Sequence, residues 1–165
     1  MKKKNYINIT KEWLNNQGNE TIVEESNYYE SNGIKYYVDN KNVILAYSKH
    51  ELEVAIWLAN TFGYKVKLLP RINIPEGIKT ADYLFKDELW DLKSINSNSK
   101  QALYHAIYKN KLQSRNFIID ISNSNMTIRD ALLQLKKIYN RLDTNFVNKI
   151  MLKKNQKFII YKKRI

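Results

Sequence analysis

A chain of 165 residues suffices for one domain with a short appended segment, and its net charge of +12 at pH 7 makes it a strongly basic one. The absence of cysteine excludes disulfides, thiol nucleophiles and cysteine-ligated zinc. No stretch approaches the ~20 consecutive apolar residues of a membrane helix, and the basic start Met1-Lys2-Lys3-Lys4-Asn5 lacks the apolar run of a secretory signal peptide. Charge of this size attracts polyanions, of which nucleic acid is the commonest. An idle basic surface, or a Lys-, Asn-, Ile- and Tyr-rich composition inherited from AT-rich coding, is the plain alternative.

In chain order, residues 1–40 read as a polar lead-in or accessory segment, with turn pairs at Gly18-Asn19 and Asn32-Gly33. Residues 34–38 and 42–47 are expected to pair as a hairpin around Asp39-Asn40. Residues 41–165 read as the functional domain. Ser48 is placed to cap a helix, with Glu51 three residues on in the capping-box position. Leu52, Ala55, Ile56 and Ala59 recur at helical spacing, and Gly63 closes the helix. Residues 65–69 form a strand ended by Pro70. Residues 82–85 and 89–95 form a hairpin turned at Lys86, Asp87 and Glu88. Residues 96–99 are loop, residues 100–113 a helix with Leu103, Ala106, Ile107 and Asn110 on one face, and residues 116–121 a buried strand. Thr127 caps a helix reaching about residue 142, and residues 146–152 and 157–161 pair around Asn155-Gln156. The order α, β, β, β, α, β, α, β, β predicts an α/β fold, a mixed central sheet flanked by helices.

Chemistry concentrates in Thr80-Ala81-Asp82-Tyr83-Leu84-Phe85-Lys86-Asp87-Glu88-Leu89-Trp90-Asp91-Leu92-Lys93. Side chains alternate along a strand, so Asp91 and Lys93 share a face while Trp90 and Leu92 point into apolar packing. The hairpin lays Asp82 beside them, bringing two carboxylates and an ammonium to one sheet end. Phosphodiester hydrolysis needs such a set. Carboxylates are hard oxygen ligands for Mg²⁺, and a lysine can orient the attacking water or stabilise phosphoryl charge. Paired anions without a cation between them are costly. The plain alternative is a strand-face ion pair.

The Asp82 … Asp91-Leu92-Lys93 arrangement resembles the PD-(D/E)XK nuclease superfamily, with Ala81 where the motif's proline would stand. Together with residues 51–63, the strand Val66-Lys67-Leu68-Leu69-Pro70, residues 113–122 and the basic C-terminal strand, it looks like the C-terminal toxin domains of contact-dependent growth inhibition proteins and their phage and mobile-element relatives. The resemblance covers residues 47–165. It implies a restriction-endonuclease-like core and a metal-dependent toxin nuclease acting on tRNA in the cytoplasm of a target cell. A cognate immunity protein would block the site. It implies Mg²⁺, or another divalent cation such as Mn²⁺ or Zn²⁺, held by Asp82, Asp91 and a first-helix glutamate. Glu51, which borders the apolar stripe, is preferred to Glu53; its alternative role is helix capping. The expected catalytic set is Glu51, Asp82, Asp91 and Lys93.

Ser97 and Asn98, in the loop after Lys93, are expected to touch nucleic acid, together with His105 on the following helix and Gln113, which the resemblance directs into the site. For His105 the competing role is an exposed or structural histidine, and for Gln113 a helix cap. Asp120 is read as a strand-end turn former in preference to a residue that supports the site from behind. Tyr104 and Tyr108 could stack on bases or be ordinary amphipathic surface residues. The competing functions are a DNA endonuclease of the same superfamily from a mobile element, a catalytically inactive nucleic-acid-binding module, and a metal-free ribonuclease, made less attractive because neither of the two histidines stands in an evident acid–base pair in the sequence.

Overall fold

Capping, alternation and turn chemistry divide the chain into short elements, seen in a computed structural model that describes residues 3–111 and 113–165. Met1 and Lys2 of the basic start, and Leu112 near the end of the expected 100–113 helix, lie outside them. In order the elements are β1 (Tyr6–Asn8), α1 (Thr10–Asn15), β2 (Val23–Glu25), β3 (Tyr28–Ser31), β4 (Ile34–Tyr37), β5 (Val43–Ile44), α2 (Lys49–Phe62) and β6 (Val66–Leu68). There follow β7 (Arg71–Ile72), β8 (Tyr83–Phe85), β9 (Glu88–Ser94), α3 (Ala102–Lys109), β10 (Asn116–Asp120), α4 (Ile128–Asn140), β11 (Lys149–Lys154) and β12 (Lys157–Lys163). The class is mixed α/β, as the sequence predicts. The chain forms two compact units, one of residues 1–15, 92–111 and 115–165, the other of residues 16–91 and 112–114. Residues 88–91 of β9 belong to the second and residues 92–94 to the first.

In the first unit the strand order is β1-β12-β11-β10, followed by the end of β9, where the Ile95 amide donates to the Asp120 carbonyl at 2.8 Å. β10 and β11 run parallel, whereas β11 and β12, and β12 and β1, are antiparallel. Leu103 and Ile107 of α3 and Ala131, Leu135 and Ile138 of α4 pack on Phe117, Ile119, Ile150 and Leu152 of the strands. Thr127 Oγ1 accepts the Asp130 amide at 3.1 Å and starts α4. α3 is shorter than the expected 100–113 helix. Gln101 makes no side-chain cap; instead Gln134 of α4 accepts the Leu103 amide at 3.0 Å and donates to the Ser99 carbonyl at 2.9 Å. Residues 1–15 supply β1 and α1, whose Thr10 hydroxyl accepts the Ile160 amide at 2.8 Å.

In the second unit the order is β2-β6-β8 and the start of β9, with β2 and β6 parallel and the remaining neighbours antiparallel. α2 packs on β6 and buries Val54, Ala55, Leu58, Ala59 and Phe62. Phe62 stands 6.0 Å from Phe85, which stands 6.3 Å from Trp90, ring centre to ring centre. Lys86 and Asp87 both take positive φ, 52° and 61°, the two-residue turn whose twist suits a hairpin. The same chemistry at Asn32 and Gly33, φ 51° and 77°, joins β3 to β4.

One expected hairpin is different. Residues 34–38 pair back onto β3, and β5 pairs instead with β7. The Asp39 carboxylate accepts the amides of Lys41, Asn42 and Val43 at 2.9, 2.7 and 2.9 Å. That loop carries the chain away from β4, because Asx chemistry competes with hairpin pairing. Residues 16–40, part of the expected lead-in, supply β2, β3 and β4 to this unit.

Candidate active site

Three elements of the second unit meet around Asp82. The residue lies one position before β8. Its amide donates to the Trp90 carbonyl at 3.0 Å, and its carbonyl accepts the Leu69 amide at 3.0 Å. Asp82 is thereby fixed between β6 and β9, against the residue that precedes Asp91. Asp91 is 1 % exposed, on a strand whose Trp90 and Leu92 are also buried. Burying so polar a group in a sheet is costly unless its surroundings are arranged for it. Lys93, partly buried, stands two residues further along β9 and belongs to the first unit.

Glu51 reaches this region from the first turn of α2. Its amide is taken by Ser48 Oγ at 3.1 Å, the cap expected from the sequence. Its carbonyl accepts the Tyr83 hydroxyl at 2.6 Å, which ties the start of α2 to β8. Its side chain is 18 % exposed, with Arg71 Nη2 3.4 Å from Oε1. Glu53, 58 % exposed, lies within 3.9 Å of Lys49 and of His50 at the surface. Burial pushes the Glu51 carboxyl above its ordinary range, the Asp82 carboxylate adds to the rise, and Arg71 opposes it.

Tyr29, on the inward side of β3 and 4 % exposed, stands at the same place. Its hydroxyl oxygen accepts the Ala81 amide at 3.0 Å, bracing the residue before Asp82. Burial raises the phenol, and the charges of Asp91 and Asp82 raise it further, against the Ala81 hydrogen bond. Both carboxylates are therefore in electrostatic reach of one hydroxyl. The sequence reading gave Tyr29, Arg71 and Tyr83 no role of their own at the site. Nothing local marks them: Tyr29 falls in the segment read as a lead-in, Arg71 follows a strand-ending proline, and Tyr83 is one position of the predicted 82–85 strand.

Among the described residues, no three or more His, Asp or Glu side chains form a group that could hold a metal. Mg²⁺ is commonly held by one or two carboxylates with water completing its shell, so the pair of aspartates is the donor set to consider.

The expected nucleic-acid contacts fall in both units. Ser97 and Asn98 are exposed after β9, and the Ser97 carbonyl accepts the Ser124 hydroxyl at 2.7 Å. His105 is exposed on α3. These belong to the first unit, whereas Gln113, partly buried, belongs to the second. Asp120 Oδ1 accepts the Ser122 amide at 3.0 Å, the strand-end turn read from the sequence.

Fold and site together describe a mixed α/β domain with acidic side chains gathered where a β-hairpin meets a helix N-terminus. Residues 79–158 match the family model described as "Contact-dependent growth inhibition CdiA C-terminal domain", a span that contains Asp82, Asp91 and Lys93 and excludes Glu51. The fold is similar to that of a chain in the CdiA-CT/CdiI toxin and immunity complex from Burkholderia pseudomallei. The TM-score is 0.56 at 17 % identity, over 84 % of this chain and 98 % of that one. No curated protein matches in sequence.

Proposed function

We propose that this chain is a toxin domain of the CdiA C-terminal kind and that it acts as a metal-dependent endonuclease with a PD-(D/E)XK core, cutting tRNA. The observation that carries the reading is the anchoring of Asp82, one residue before β8, on the Trp90 carbonyl of the adjoining β9, next to the buried Asp91. Asp82 and Asp91 would hold Mg²⁺, or Mn²⁺ or Zn²⁺ in its place, with Glu51 at its edge. The ion would neutralise phosphoryl charge and activate water. The chain's own part is positioning. The Tyr29–Ala81 and Tyr83–Glu51 hydrogen bonds fix the acids before substrate arrives, so little reorganisation remains at reaction. Lys93 would orient the attacking water or meet charge developing on the phosphoryl oxygens.

The family match over residues 79–158 supports the toxin reading. The structural neighbour is named as a toxin and immunity complex, and we extend that pairing to this chain: a cognate immunity protein would bind over the acidic site. Action in the cytoplasm of a target cell follows from the same reading.

Total tRNA and plasmid DNA, each incubated with Mg²⁺ and separately with EDTA, provide the test. Cleavage of tRNA with Mg²⁺ and none with EDTA is expected. Asp82→Ala, Asp91→Ala and Lys93→Ala should each lower the rate by at least ~100-fold while leaving the circular dichroism spectrum unchanged. Wild-type rates in all three variants would refute the site. Cleavage of plasmid alone would move the substrate from RNA to DNA.

A further inference from the structure

The first unit carries an ordered stack of flat groups at its surface that the acidic site does not use. Tyr104 and Tyr108, one helical turn apart on α3, lie 5.6 Å centre to centre and 20° from parallel. The Arg141 guanidinium lies over the Tyr104 ring, its central carbon 3.9 Å from the ring centre. Asp143 holds both ends of that contact. It accepts two hydrogen bonds from Arg141, at 2.8 and 2.9 Å, and one from the Tyr104 hydroxyl at 2.6 Å. At the far end, Lys111 Nζ sits 4.8 Å above the Tyr108 ring.

The stack is built to stay flat, yet it is not core. Tyr108 is 39 % exposed. A lysine is a weak lid: its ammonium is strongly hydrated and its stem flexible, so it yields its place readily. An exposed ring stacked on a neighbouring ring and touched otherwise by a displaceable cation is suited to receive another flat group. Since the domain carries a charge of +12, the flat groups it would meet are those borne on a polyanion.

Resting on the nucleic-acid reading above, we propose that Tyr108 is a stacking platform for an unpaired base of single-stranded nucleic acid. The base takes the ring face under Lys111, and the displaced ammonium turns to the adjoining phosphate. Arg141 and Asp143 are positioning residues that hold the platform flat. A duplex, whose bases are already stacked on one another, would gain nothing from it.

Binding in EDTA tests this without cleavage. The probe is a single-stranded RNA oligonucleotide carrying 2-aminopurine, with a duplex of the same sequence as control. The wild type and Tyr108→Phe should bind alike and quench the probe. Tyr108→Ala should weaken single-strand binding by roughly five- to a hundred-fold, the effect of losing one stacked base, with quenching lost and duplex binding and thermal unfolding unchanged. Lys111→Ala should flatten the dependence of log affinity on log salt by about one phosphate contact. Wild-type affinity and quenching in Tyr108→Ala would overturn the platform, as would a wild-type chain that leaves the probe unquenched. A chain that quenches through Tyr108 yet cuts nothing would refute the nuclease reading and leave the platform standing. A chain that cuts tRNA with Tyr108→Ala binding as the wild type would do the reverse.

Discussion

Glu51 shows how the site trades stability for its arrangement. Burial and the Asp82 charge raise its carboxyl above the unfolded value, so the folded chain holds that proton more tightly than the unfolded one. Between the ordinary glutamate range and the raised value, the native state binds more protons, and stability falls as pH rises. Above the raised value the loss is complete. Glu51→Gln should therefore raise the melting temperature at neutral pH, by about 2–5 °C on the scale of such relief. The gain should vanish on acidification below the ordinary glutamate range. A melting temperature below wild type at neutral pH would show that Arg71, itself 55 % exposed, contributes more to Glu51 than burial and Asp82 take away.

At the scale of elements, the hairpin turns and the end of α2 are set by local backbone chemistry. Gly63 takes φ 72°, and its amide closes on the Ala59 carbonyl. A Cβ there would strike the Gly18 backbone, which is drawn in because the Gly18 amide donates to the Phe62 carbonyl and the Glu20 amide to the Gly63 carbonyl, at 2.9 and 2.8 Å. Gly63→Ala combines an unfavourable left-handed backbone with a steric clash. It should cost about 1–3 kcal/mol in urea unfolding. A loss below half a kcal/mol would mean that the 16–20 segment can move aside. Gly63 was legible as a helix stop. That it also seats residues 18–20 was not, because the contact spans more than forty positions of sequence.

At the scale of the whole molecule, the charge of +12 predicts that tRNA binding depends steeply on salt. Measured in EDTA, affinity should fall by at least tenfold between 50 and 200 mM NaCl, with log affinity linear in log salt. A flat response would mean that the basic residues are a solvated surface and not a phosphate-binding one. The same experiment on Asp91→Asn should bind at least as tightly as wild type, since an anion near the phosphate path is removed.

What the sequence determined by itself is local. Ser48 and Thr127 start their helices, Gly63 stops one, Asn32-Gly33 turns the chain, and the turn expected over Lys86, Asp87 and Glu88 falls at Lys86-Asp87 with Glu88 opening β9, since caps and short turns depend on neighbours a few positions away. The two-residue period of a strand likewise gives the expectation that Asp91 and Lys93 share a face. Tertiary structure alone decided which strands meet and what braces the acids. β1 joins β12 and β2 joins β6, the start of α3 is satisfied by Gln134 from another helix, and Ala81 is held by the Tyr29 hydroxyl. Long-range pairing is chosen by competition among many similar edges for burial and hydrogen bonds. No single stretch of residues encodes the outcome of that competition.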